Sequence, residues 1–151
     1  MRLSTFSDYS LRVLIFLATH PDERVTADQI AKAYQVSRNH LMKVVQTLSH
    51  SGFVTTVRGR GGGLALARPP ADVRLGNVLR QTERDTALVE CLGGGPSDCP
   101  LCGVCHLTPM FEEAREAFFS TMNRFTLADA TVRADALRRC LTIGEIVPQD
   151  K

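Results

Sequence analysis

The sequence predicts a mainly α-helical fold with a single small β-hairpin, and three observations carry that expectation. Apolar residues recur at spacings of three and four over residues 8–19, 41–48 and 107–122, the period of a helix buried on one face. Residues 53–67 instead run through β-branched, aromatic and alternating residues around a string of glycines, the pattern of two short strands and a turn. Residues 90–106 follow neither period, and this segment holds four of the chain's five cysteines.

Each element has a local reason. In residues 8–19, Leu11, Leu14, Ile15 and Ala18 share a face, Ser7 is the expected N-cap and Pro21 ends the segment. Thr26 followed three residues later by Gln29 reads as a capping box, opening a short helix through Ile30, Ala31 and Tyr34. A turn at Gln35 and Val36 leads to Ser37, the expected cap of a third helix. Its inner face is Leu41, Val44, Val45 and Leu48, and Gly52 sits where a left-handed residue ends a helix. Residues 53–57 (FVTTV) and 64–67 (LALA) are the strands, while 58–63 (RGRGGG) can form only a turn or flexible loop. Pro69 and Pro70 close this lobe, and 75–83 predicts a linking helix with Val78 and Leu79 inward. Leu107, Met110, Phe111, Ala114, Phe118 and Met122 form a long amphipathic stripe, after which Thr126 caps a last helix near 127–141. A stripe of that length needs a partner, which its own domain could supply, but the same helix of a second copy is the expected one.

Three helices followed by a hairpin make a winged helix-turn-helix. The 151 residues, 44% apolar and 23% charged, suit one compact unit or two small lobes and exclude a disordered tail or a multi-domain enzyme. The net charge of +2 divides unevenly: residues 1–70 hold nine Lys/Arg against four Asp/Glu, and residues 71–151 hold nine against twelve. The basic half is the one that should face a polyanion. Ser37, Arg38, Asn39, His40 and Lys43 lie at the start and outer face of the third helix, where side chains can reach major-groove edges. Arg58 and Arg60 flank the hairpin tip and should enter the minor groove or hold phosphate, with Gly61 and Gly62 letting backbone approach the duplex. Double-stranded DNA with a palindromic operator is therefore the expected partner. No apolar run reaches the roughly 18 residues of a membrane span, and residues 11–18 carry Arg12 after a polar start. Neither a membrane helix nor a signal peptide is expected, and the expected location is the cytoplasm.

In that compartment thiols stay reduced, so clustered cysteines point to metal or redox chemistry rather than to disulfides. Cys99, Cys102 and Cys105 repeat at every third residue and Cys91 precedes them, a spacing that can converge on one metal centre. The C-x-x-C-x-x-C run is the core of the bacterial ferredoxin pattern for a 4Fe-4S cluster, and four cysteines in a loop can equally enclose zinc. His106 adjoins Cys105 and reads as a solvent-facing or capping residue, and Cys140 as a small buried hydrophobe of the last helix. His20 and His50 sit at helix ends, where a cationic ring suits the dipole. No Ser/His/Asp set, paired-carboxylate motif or phosphate loop stands out, so an enzyme is not expected.

These segments carry a family resemblance. The start MRLSTFSDYSLRVLIFLA, the segment YQVSRNHLMKVVQTLSHSGFV, the hairpin TVRGRGGGLALARP, the cysteine loop and FTLAD resemble the Rrf2 family of bacterial iron-sulfur regulators, and within it the nitric-oxide-sensing repressors. The resemblance implies a homodimer with winged helix-turn-helix lobes, a long dimerisation helix, and one cluster per subunit near the interface. It implies Cys91, Cys99 and Cys105 as cluster ligands, with the fourth supplied by Asp8 of the partner subunit. Cys102 departs from the family pattern and is the alternative ligand. A 4Fe-4S cluster is implied, 2Fe-2S being the smaller alternative.

The implied organisation is a DNA-binding lobe over 1–70, a linking helix over 71–89, a cluster loop over 90–106, and dimerisation and C-terminal helices over 107–151. The implied function is a repressor that releases DNA when nitric oxide nitrosylates or removes the cluster. The longer gap between Cys91 and Cys99 is shared with iron-responsive relatives, so iron status is the alternative signal. From other classes, an electron-transfer or thiol oxidoreductase would use the cysteine loop alone, and a zinc-stabilised DNA-binding module would sense nothing.

Overall fold

The computed structural model describes residues 2–57, 59, 61–83, 85–93 and 97–141. Helix α1 (Thr5–Thr19) starts one turn earlier than the sequence pattern suggests, because Ser4 rather than Ser7 is its cap: the Ser4 hydroxyl accepts from Ser7 N–H at 3.2 Å. Ser7 lies inside the helix and is buried, with its hydroxyl 2.8 Å from that of Thr82. A buried hydroxyl partner removes the reason for Ser7 to stay at a helix end. Helix α2 (Ala27–Ala33) has the complete Thr26/Gln29 capping box, and Gln35 at φ +53° makes the turn into α3 (Arg38–His50). Gly52 takes the left-handed conformation, φ +71°, at the far end.

Strands β1 (Val54–Val57) and β2 (Gly63–Leu66) pair antiparallel, with Val54 opposite Leu66 and Val57 opposite Gly63. Val25, just before α2, pairs with the other edge of β2 through two backbone bonds with Leu64 at 2.7 and 3.3 Å. The hairpin is thus anchored to the start of the helix-turn-helix.

A 3-10 turn (Pro70–Asp72) leads into α4 (Leu75–Thr82), and another (Glu90–Leu92) interrupts the otherwise irregular cysteine segment. Helix α5 (Leu107–Met122) follows the predicted stripe. The single last helix expected over 127–141 is instead two short ones, α6 (Leu127–Ala130) and α7 (Ala134–Cys140). Thr131 breaks the run, donating its hydroxyl to the Leu127 carbonyl at 2.8 Å, a bond that competes with the helix ladder.

Helix α1 is the centre of the molecule. It packs against α3, α4, α6, α7 and β2, and its Val13, Leu14 and Phe16 are fully buried with Ile30, Leu48, Val73, Val78 and Leu127. Burial of each such side chain stabilises by about 1.5–3 kcal/mol before entropy is counted. Helix α4 lies against α5 at Gly76, and Arg80 bridges them by pairing with Glu116 and sitting 4.7 Å over the Phe119 ring. Helix α7 reaches α1 through Arg138, whose Nε donates to the Thr19 carbonyl at 2.9 Å. It turns Leu141 inward and leaves Cys140 exposed, contrary to the buried hydrophobe expected there. No helix among the described residues is long and apolar enough to cross a membrane.

Candidate nucleic-acid interface and metal centre

The third helix separates its two faces cleanly. Leu41, Val44, Val45 and Leu48 are buried, while Ser37, Arg38, Asn39, His40 and Lys43 are all exposed along the opposite edge. Ser37 occupies the cap position without making a side-chain cap bond. Arg38 pairs with Asp28 in the first turn of α2, Nε to Oδ1 at 2.5 Å. Lys43 borders a cavity of about 530 Å³ between α1, α3 and the end of α4, beside Gln46 and Glu83. There the Glu83 carboxylate accepts from Ser4 N–H at 2.7 Å, tying the end of α4 to the start of α1.

At the hairpin tip, Gly59 and Gly61 have φ of +98° and +76°, a conformation other residues adopt only with strain. Gly61 is exposed, Gly62 half-buried, and Gly62 N–H donates to the Gly59 carbonyl at 2.9 Å. Arg58 and Arg60 lie outside the described residues.

Asp8 stands in the first turn of α1 and pairs with Arg12 one turn on, at 2.9 Å. The Arg12 guanidinium also lies 5.8 Å over the Tyr9 ring and 5.6 Å over that of Tyr34. Burial pushes the Tyr34 phenol from its ordinary 10.0 up to about 12, opposed by the Arg12 charge and reinforced by Asp8.

In the cysteine segment, Cys91, Cys99 and Cys105 are half-buried and Cys102 is exposed, and all are free thiols. Cys91 Sγ lies 3.4 Å from the Thr108 hydroxyl at the start of α5. Cys102 N–H donates to the Cys99 carbonyl at 3.0 Å, and Gly103 at φ +87° turns the chain toward Cys105. His106 is the exposed N-cap of α5, without a side-chain cap bond. Three reduced, partly shielded thiols on one irregular segment suit iron in their chemistry. Among the described residues, however, no three Cys, His, Asp or Glu side chains are gathered closely enough to hold a metal ion. His20 proves to be structural: it is buried, stacked on Phe16 at 4.4 Å, with Nδ1 2.9 Å from the Phe16 carbonyl.

Two features escaped the sequence reading, the Asp28–Arg38 pair and the Glu83–Ser4 link. Asp28 and Arg38 open successive helices of the helix-turn-helix, and opposite charges at those two starts are the only sequence signal of the pair.

A family model described as Rrf2, iron-dependent transcriptional regulator, matches residues 3–133. The chain is 42% identical over 143 residues to the HTH-type transcriptional regulator NsrR of Bacillus licheniformis, covering 94% of this chain and 100% of that one. It is 41% identical over 146 residues to NsrR of Bacillus subtilis strain 168, covering 96% and 100%. Among solved structures it is similar to T. potens IscR, with a TM-score of 0.69, 25% identity and 91% of each chain covered. The fold is also that of CymR, the global cysteine regulator of B. subtilis, with a TM-score of 0.68 at 24% identity over 88% of this chain and 98% of that one.

Proposed function

The chain belongs to the Rrf2 family of iron-dependent transcriptional regulators, and we propose that it is a cytoplasmic, homodimeric repressor that binds a palindromic operator and senses nitric oxide through an iron-sulfur cluster. The observation that carries the DNA-binding part is the exposed polar edge of α3, with Ser37, Arg38, Asn39, His40 and Lys43 set over a fully buried inner face. A helix so held can enter a major groove without losing its core. Asn39 has the amide to read adenine, Lys43 the charge to meet phosphate, and Arg58, Arg60, Gly61 and Gly62 are assigned to the neighbouring minor groove.

Cys91, Cys99 and Cys105 are the proposed ligands of a 4Fe-4S cluster, with Asp8 of the partner subunit as the fourth and Cys102 as a near neighbour. Such a cluster supplies iron that reacts with nitric oxide, and a carboxylate is a harder, more weakly held donor to it than a thiolate. Asp8 opens the helix on which α3 packs, so holding or releasing its carboxylate bears on the placement of the reading head. Arg12 offers the released carboxylate a partner on its own helix. Two heads must enter successive major grooves about one helical turn apart, so a change in their separation weakens operator binding.

The test uses full-length protein purified without air and duplex DNA selected from a randomised library. The expected protein is brown, contains iron and sulfide, and loses its selected DNA when nitric oxide nitrosylates the iron. A colourless zinc protein, or one that keeps its operator affinity after nitrosylation, contradicts the proposal.

A further inference from the structure

We propose that Asp28 sets the base specificity of Arg38, acting as a positioning residue that fixes the guanidinium for one mode of guanine recognition. This rests on the reading of α3 as the major-groove helix. Arg38 is the first residue of α3, and its guanidinium forms an ion pair with Asp28, Nε lying 2.5 Å from Oδ1. The guanidinium is more than half exposed, so its far end is open to a ligand. Guanine offers O6 and N7 as paired acceptors in the major groove, and the two Nη groups of an arginine match them end-on. With the Asp28 carboxylate 2.5 Å from Nε, a base edge cannot reach Nε without displacing it, and the end-on approach remains.

Stability does not explain the pair. The two side chains are 59% and 57% exposed, and a surface ion pair contributes about 0–1 kcal/mol. Its effect is on where the guanidinium sits. Asp28 also brings a negative charge to the helix-turn-helix, which opposes the approach of any polyanion. Paired with Arg38 that repulsion becomes discrimination, because only a site with guanine at the right position offsets it.

The experiment selects bound duplexes from a randomised library with the wild-type protein and with Asp28→Ala, Arg38→Ala, the double variant and Asn39→Ala, and reads base preference position by position. The wild type should prefer guanine at one position per half-site by about five- to one-hundred-fold, the range of a good bidentate contact. Arg38→Ala should abolish that preference. Asp28→Ala should lose most of it at the same position while binding unselected DNA more tightly, and the double variant should match Arg38→Ala. An unchanged profile in Asp28→Ala, or a uniform loss across all positions, overturns the proposal. If Asn39→Ala still shifts a neighbouring position, the assignment of α3 survives that failure. If neither Arg38→Ala nor Asn39→Ala changes any position, the assignment of α3 falls as well.

Discussion

A methyl group added to Gly76 would stand 2.5 Å from the Phe119 carbonyl oxygen and 2.6 Å from the Asn123 backbone nitrogen. Both are backbone atoms that cannot swing aside, so α4 and α5 would have to separate. Gly76→Ala should therefore cost about 1–3 kcal/mol, in the range of overpacked cores. Urea unfolding checks this, and a midpoint equal to wild type contradicts the close crossing. Tyr34 makes the second residue-scale prediction. Its phenol titrates near 10.0 in the unfolded chain and at about 12 in the folded one, so the unfolded state gives up its proton first as pH rises. The stabilisation it brings is complete below pH 10 and disappears between 10 and 12. Tyr34→Phe should flatten that alkaline decline in a series of thermal melts, and an unchanged slope contradicts it.

Helix α5 buries only Phe119, while Leu107 and Met110 are 57% and 61% exposed on the stripe that predicted the helix. If that face meets its copy, Met110→Glu should convert dimer to monomer in sedimentation while leaving the helical circular dichroism intact. A dimer of unchanged mass contradicts the assignment. The elements with strong periodicity were legible in the sequence: α3 with its inner leucines and valines, the Thr26 capping box and the full 16-residue extent of α5. Helix ends were less so. Ser4 and Ser7 are equally good caps by type, and only the buried bond from Ser7 to Thr82 decides between them. The break at Thr131 likewise depends on a hydroxyl choosing a carbonyl. Of the candidate site, the outward residues of α3 follow from the helical period. The Asp28–Arg38 pair does not, since it depends on how two helices meet across a turn. The cysteine segment has no period to extrapolate, so its residue types could be read and its arrangement could not.

In the whole molecule, α1 touches the helix that carries the candidate DNA face, the helix that leads to the cysteine segment, and the two short helices after α5. Asp8, Ser4 and Thr19 along it meet Arg12, Glu83 and Arg138 respectively, so local, intermediate and distant parts of the chain converge on one rod. The bond from Arg138 to Thr19 spans 119 positions. Contacts of such separation slow folding, because the intervening loop must close before they form. This arrangement has a cost during biosynthesis. Helix α1 is made before the helices that cover it, so its apolar face stays open to chaperones and to other nascent chains until α6 and α7 emerge. A premature stop in α6 or α7 thus strips cover from the opening helix, so truncations far from α3 register as loss of soluble protein rather than as an altered DNA site.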